Sequence, residues 1–143
     1  MRFFLLFLSF ISLTTIQAQT WLSKEQVDLS RFIPERPHLS SVQCFEVTYM
    51  SDSSLVRGVL MEPKQGTAHP AIIFNRGGNR EFATLSVGMV ISVLGKVASE
   101  GYVVTASNYR WEDEFGGADT NDVLNLLAIC LLYTSPSPRD SFR

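Results

Sequence analysis

Two short uninterrupted apolar runs, with a helical stripe between them, constrain this chain more than any other feature. Ala71-Ile72-Ile73-Phe74 is the first run and Tyr102-Val103-Val104-Thr105-Ala106 the second. Runs without polar alternation suit strands buried on both faces of a parallel sheet. From Phe82 to Ser99, Leu85, Met89, Val93 and Val97 recur at four-residue spacing, with Val90 and Leu94 beside them, and Gly101 is placed to close a helix. Strand, helix, strand at this spacing predicts a parallel crossover unit of right-handed connection.

The flanking segments extend that reading. From Val42 the period becomes two, with Phe45, Val47 and Tyr49 alternating with Cys44, Glu46 and Thr48, as in a half-buried strand. Asp52-Ser53-Ser54 supplies a turn, and Leu55, Val56, Val59, Leu60 and Met61 form a second extended segment that stops at Pro63. An antiparallel hairpin is expected here. A second helix is predicted to begin near Asp119 or Thr120, with Asp119 and Asp122 as N-terminal caps, and to run through Val123, Leu126 and Leu127. The fold class is α/β. Residues 20–41, polar and carrying Pro34 and Pro37, read as a loosely packed arm with a short helix over 23–29.

Composition narrows the function classes. The chain has 143 residues, of which 45% are hydrophobic and 18% charged, enough for one globular domain. Its net charge of -2 offers no footprint for nucleic acid, so no nucleic-acid partner is expected. Cys44 and Cys130 form neither a disulfide-dense scaffold nor a zinc signature.

The two ends are read separately. Met1-Arg2 precedes the apolar stretch Phe3 through Ile11, which polarises at Thr14-Thr15 and reaches Gln17-Ala18-Gln19. That is the layout of a secretory signal peptide over 1–18. The apolar stretch is shorter than the span of about 20 residues that a membrane helix needs. A secreted or periplasmic location without a stable membrane anchor is expected. At the other end, Cys130-Leu131-Leu132-Tyr133-Thr134-Ser135-Pro136-Ser137-Pro138-Arg139-Asp140 resembles one reading frame of a transposase-type adapter used to prepare sequencing libraries. Residues 130–143 are therefore expected to be an artefactual tail, and the natural sequence to be interrupted near Ile129. The organisation expected is a leader over 1–18, an arm over 19–41 and one domain over 42–129.

Candidate chemistry lies after the first buried strand. In Asn75-Arg76-Gly77-Gly78-Asn79-Arg80, paired glycines allow backbone N–H groups to approach an anionic oxygen. Open α/β sheets bind ligands beyond the carboxyl ends of their strands. On spacing alone, a glycine-rich turn with Arg76 and Arg80 solvated or ion-paired is the more economical reading. The segment is not a phosphate loop and not a dinucleotide fingerprint. Glu112-Asp113-Glu114 reads as a solvated acidic loop, with no metal expected. His38 and His69 are the only histidines, and both read as surface residues. No two of the nine glycines are four apart, so no G-x-S-x-G elbow is present.

In order along the chain, Val56-Arg57-Gly58-Val59-Leu60-Met61-Glu62-Pro63, Pro70 through Gly78, Ala98-Ser99-Glu100-Gly101-Tyr102-Val103-Val104, Asn108-Tyr109-Arg110 and Gly116-Gly117-Ala118-Asp119 resemble the start of an α/β-hydrolase domain. The resemblance is to the prolyl oligopeptidase family of serine peptidases and covers residues 42–129. It implies an incomplete α/β-hydrolase fold and acyl transfer to water through a Ser-His-Asp triad. It also implies an oxyanion-hole or substrate loop of Arg76, Gly77 and Gly78, with Arg76 at a position that holds Tyr or His in the family. The loop holding Asn108-Tyr109-Arg110 would shape the cleft. All three triad members are expected beyond Ile129, leaving this chain without a catalytic residue and inactive. The implied substrate is a peptide, with a small ester as the alternative, and no cofactor is implied. A secreted binding module that holds an anion on the glycine loop is the non-catalytic alternative.

Overall fold

A computed structural model describes residues 21–78, 82–111 and 116–134. The expected signal peptide, Arg80, the acidic run Glu112-Asp113-Glu114 and residues 135–143 of the expected tail lie outside the described residues. Five strands form one mixed sheet: β1 (Ser23–Val27), β2 (Val42–Ser51), β3 (Ser54–Pro63), β4 (Ala71–Phe74) and β5 (Val103–Ser107). Two helices complete the fold, α1 (Val87–Ser99) and α2 (Asp119–Thr134).

The sheet order is β1-β2-β3-β5-β4. The expected hairpin is observed, with β2 and β3 antiparallel from Val42↔Pro63 to Ser51↔Ser54, so that Asp52 and Ser53 alone make the turn. β3 continues antiparallel to β5, and β5 is parallel to β4 from Ala71↔Val103 to Phe74↔Ala106. The α/β class and the hairpin-then-crossover arrangement thus agree with the sequence pattern.

Side-chain alternation explains how two layers of helix are held. Val42, Cys44, Val59, Met61, Val104 and Ala106 bury one face of the sheet against Val90, Ile91, Leu94 and Ala98 of α1. On the opposite face, Tyr49 and Val56 pack with Leu126 and Ile129 of α2, and Val47, Leu60 and Val103 extend that core. Burying each such side chain contributes on the order of 1.5–3 kcal/mol.

Four expectations are corrected. Residues 23–29 contain a strand rather than a helix, because β1 pairs antiparallel with β2 from Ser23↔Thr48 to Val27↔Cys44. The rest of the supposed loose arm is packed too. Short 3-10 turns at Ser30–Phe32 and Pro37–Ser41 bring Leu29 and Leu39 into the α1 core. Leu39 seats where α1 carries Gly95, at which an added Cβ would stand 2.7 Å from Leu39 Cδ2.

The second correction concerns β2, whose buried set is not one alternating face. Cys44 is buried under α1, whereas Phe45 is only half-buried, because helices cover both sides of the sheet. Third, β5 is buried on both faces as expected, but β4 is not. It is an edge strand, with Ala71 and Ile72 exposed. Fourth, α1 starts at Val87, five residues later than the apolar stripe predicts. The Ser86 side chain caps it by accepting from the Met89 N–H at 3.3 Å. Its far end closes as expected, with the Gly101 N–H donating to the Ala98 carbonyl at 3.1 Å.

The first five residues of the expected tail, 130–134, continue α2, and Cys130 is buried. Neither Cys130 nor Cys44 is in a disulfide.

Candidate functional site

β4 and β5 are parallel neighbours, so the segments leaving their carboxyl ends lie side by side. The first is Asn75-Arg76-Gly77-Gly78 and the second Asn108-Tyr109-Arg110. All four residues of the first segment and Tyr109 of the second line a cavity of about 420 Å³ with Asp119, Thr120 and Val123 at the start of α2. Gly77 borders open space, since an added Cβ there would meet no atom within 4 Å. Gly78 is the opposite case. It has φ +77°, and an added Cβ would stand 2.7 Å from the Phe82 carbonyl oxygen, so only glycine fits.

Arg76 is not solvated in this geometry; its residue is 4% exposed. Its guanidinium is turned onto backbone carbonyls. Nη2 and Nε donate to the Asn108 carbonyl at 2.7 and 3.2 Å. Nη1 reaches the carbonyls of Phe82 at 2.9 Å and of Gly77 and Gly78 at 3.3 Å each. Five N–H donors in a rigid plane suit this task better than any other side chain. The guanidinium carbon also stands 4.7 Å from the centre of the Tyr109 ring.

Tyr109 has φ +60°, a costly conformation for a residue with a Cβ. Its N–H donates to Ser107 Oγ at 2.9 Å, and its hydroxyl donates to the Arg76 carbonyl at 3.2 Å. Asn108 Oδ1 accepts the Leu85 N–H at 2.8 Å, fixing the segment that leads into α1.

Beneath the loops lies a polar network centred on Arg110 and Asp122. Asp122 is fully buried and accepts from the Arg110 N–H at 2.8 Å and from Arg110 Nη2 at 2.7 Å. Arg110 Nη2 also reaches Asp52 Oδ2 at 2.9 Å, across the tip of the β2–β3 hairpin. The hydrogen bond to Asp122 raises the Arg110 pKa still further, so this cation is permanent. Asp52, bonded by Asn121 and Arg110, is held below its usual value of 3.8. The Tyr49 hydroxyl lies 2.8 Å from both Ser107 Oγ and the Asp122 carbonyl. Since Ser107 Oγ already accepts from Tyr109, it can give its own proton to Tyr49 while Tyr49 donates to the carbonyl. Burial pushes the Tyr49 phenol well above its ordinary pKa, so it stays a neutral donor.

The expected caps therefore differ in role. Asp119 accepts the Gly116 N–H at 3.3 Å, whereas Asp122 serves Arg110 instead of the helix end. The pairing of Arg110 with Asp122 left a signal in the sequence, a cation after a buried strand and an acid at the next helix start. Tyr49 and Ser107 left none, because each sits in a strand pattern that apolar residues also satisfy. His69 lies at the opposite end of the strands, its Nδ1 2.9 Å from the Gly101 carbonyl, and His38 packs near Gly95. Neither histidine reaches the glycine loop. Among the described residues no group of three or more His, Cys, Asp or Glu is placed to hold a metal ion. No helix among them is long and apolar enough to cross a membrane.

No family model matches the chain. Over 117 residues it is 28% identical to an uncharacterized peptidase, YtmA, of Bacillus subtilis (strain 168), covering 78% of this chain and 42% of the relative. The chain thus spans less than half the length of that protein. Acetyl xylan esterase 1 from Thermoanaerobacterium sp. JW/SL YS485 superposes with a TM-score of 0.40 and 18% identity, over 55% of this chain and 24% of the esterase. A cold-adapted esterase from an Arctic intertidal metagenomic library, in its PEG-bound complex, gives 0.34 and 20%, over 47% and 27%. The mixed sheet described above is consistent with an incomplete α/β-hydrolase fold.

Proposed function

We propose that this chain is the N-terminal part of an exported serine hydrolase of prolyl oligopeptidase type. In the complete protein a Ser-His-Asp triad would transfer an acyl group to water, and this chain would supply the oxyanion loop. The observation that carries the reading is the glycine segment at the carboxyl end of β4. It faces a cavity, and the side chain of its own Arg76 immobilises it from the buried side. Preset backbone donors of that kind stabilise the charge that develops on a carbonyl oxygen in the tetrahedral intermediate. The partial identity to a peptidase supports the same reading.

Each group has a defined part in the proposed reaction. The serine oxygen attacks the carbonyl carbon while the histidine takes its proton, and the carbonyl oxygen gains negative charge next to Gly77 and Gly78. Collapse of the intermediate expels the amine or alcohol with that proton and leaves the acyl group on the serine; water, deprotonated by the histidine, then attacks that ester and the serine leaves with the proton, freeing the acid. A small ester and a peptide bond pass through the same intermediate, so both remain substrates of this site. Comparing hydrolysis of p-nitrophenyl acetate with that of peptide p-nitroanilides decides between them.

The test begins with the gene. Sequencing the source DNA across the codons for Leu126 to Asp140, from a library made without the adapter, is expected to show a frame that leaves the 130–140 string. The new frame should enter a buried strand with G-x-S-x-G. The protein encoded by that frame should react with a fluorophosphonate probe, whereas the 143-residue chain should not. A natural stop after Arg143 overturns the enzyme reading and leaves the anion-binding module.

A further inference from the structure

The resemblance puts Arg76 where substrate would be touched, yet its guanidinium is buried against carbonyls, and Tyr109 accepts a strained backbone in order to lie against it. We infer that Arg76 and Tyr109 are positioning residues: together they set the direction of the Gly77 and Gly78 N–H groups. This rests on the hydrolase reading for its effect on rate, but not for its geometry.

The physical link is the planarity of the peptide unit. In a trans peptide the carbonyl and the following N–H point in opposite directions, and among the described residues no peptide bond is cis. The Arg76 carbonyl is held by the Tyr109 hydroxyl, so the Gly77 N–H points away from Tyr109. The Gly77 carbonyl is held by Arg76 Nη1, so the Gly78 N–H points away from the buried guanidinium. Among the described residues neither glycine N–H has a hydrogen-bond partner. Two oriented donors without a partner, beside a cavity, are what an anionic oxygen requires.

Two glycines alone would not hold such an arrangement, because glycine has the greatest backbone freedom of any residue. The clamp removes that freedom from three sides. Arg76 ties the loop to Phe82 before α1 and to Asn108 after β5, and Tyr109 closes over it. The strain at Tyr109 is sustained from below. Its own N–H is bonded to Ser107, and the next N–H, that of Arg110, is bonded to buried Asp122. An outlying conformation fixed at both flanks beside a cavity fits strain retained for positioning.

The test uses the protein encoded by the continuous gene and reads two quantities: kcat and KM for p-nitrophenyl acetate, and the Gly77 and Gly78 amide resonances of the 15N-labelled protein. Tyr109→Phe keeps the ring on the guanidinium and deletes only the hydroxyl. It is expected to lower kcat about tenfold, a fraction of what removing a whole oxyanion donor costs, with KM within about twofold. The Gly77 resonance should move. Arg76→Lys keeps the charge but loses the planar fork, and should lower kcat further and move both resonances. Arg76→Tyr restores the residue type common in the resembled family and should be as impaired as Arg76→Lys. Wild-type activity in Arg76→Tyr would overturn the inference, as would an unmoved Gly77 resonance in Tyr109→Phe whatever the rate. If Arg76 variants fail to fold, Tyr109→Phe decides alone. A wild-type protein inactive toward both esters and peptides overturns the hydrolase proposal instead, and the glycine resonances still decide the positioning roles.

Discussion

At Gly58, β3 approaches β5 so closely that an added Cβ would stand 2.5 Å from the Ala106 carbonyl oxygen and 3.5 Å from Val47 Cγ2. The first of these is backbone in the middle of a ladder, so it cannot step aside as a side-chain end can. Gly58→Ala is expected to destabilise the fold by about 2–3 kcal/mol, at the upper end of ordinary overpacking. Urea titration of the two proteins measures it, as a lower midpoint at unchanged slope. Thiols give a second measurement at this scale. Burial pushes both Cys44 and Cys130 up from 9.0 to about 11. Each thiol then loses its proton more readily in the unfolded chain than in the folded one. Their contribution to stability is full below pH 9.0 and declines as the pH rises toward 11. Ellman's reagent at pH 8 should find neither thiol until denaturant is added, and a folded sample that reacts promptly contradicts the buried placement.

Among the elements, the loop after β5 is tied down by the buried ion pair of Arg110 with Asp122. Asp122 is fully buried, and its removal would leave the Arg110 side chain facing a hole where its carboxylate was. Truncating one member of a buried pair typically costs about 3–5 kcal/mol. Asp122→Ala should therefore lose about 3 kcal/mol, taking the low end because Arg110 keeps Asp52, and Asp122→Asn should lose less; thermal denaturation compares them. Acid reaches the same network through Asp52. Its carboxyl pKa is depressed on folding, so its stabilisation is present above pH 3.8 and is lost as the pH falls below that. A stability profile that falls less steeply below pH 4 in Asp52→Asn than in the wild type is the expected result, the remaining fall including that of Asp28, whose carboxyl is lowered by its hydrogen bonds from Ser30. How much of this was legible differs by element. The crossover unit and the hairpin were readable because apolar periodicity reports burial directly. β1 was not, since Ser23-Lys24-Glu25-Gln26 is polar and shows no apolar alternation, although it pairs with β2 and Lys24 reaches Glu62 at 3.0 Å. The glycine loop was legible as a connection at the carboxyl end of a strand, but not the bonding of Arg76 to carbonyls, because a buried arginine has the same letter as a solvated one.

On the scale of the molecule, the sheet is covered on both faces but open along β4. Ile72 is exposed at that edge, and Leu124, Leu127 and Leu131 of α2 present apolar surface to solvent. Unpaired strand edges and contiguous apolar surface promote self-association. Sedimentation velocity of the 143-residue chain is expected to show concentration-dependent larger species. Ile72→Lys, which places a charge on the edge, should shift them toward monomer. A monomeric wild-type sample with a cooperative thermal transition would contradict this.

The reach of Arg110 has a kinetic consequence. It joins Asp52, 58 residues earlier, to Asp122, 12 residues later, so three separate pieces of chain must already be in place before it can bond. Contacts of such long sequence separation form late and slowly. The glycine loop, which leans on the neighbouring Tyr109, therefore acquires its shape only when the hairpin, β5 and α2 have assembled. Hydrogen exchange at the Arg110 amide, held by a carboxylate sealed from water, should then proceed only through opening of the whole domain. The candidate site is thus a late product of folding, and its order is a gauge of whether the entire chain is native.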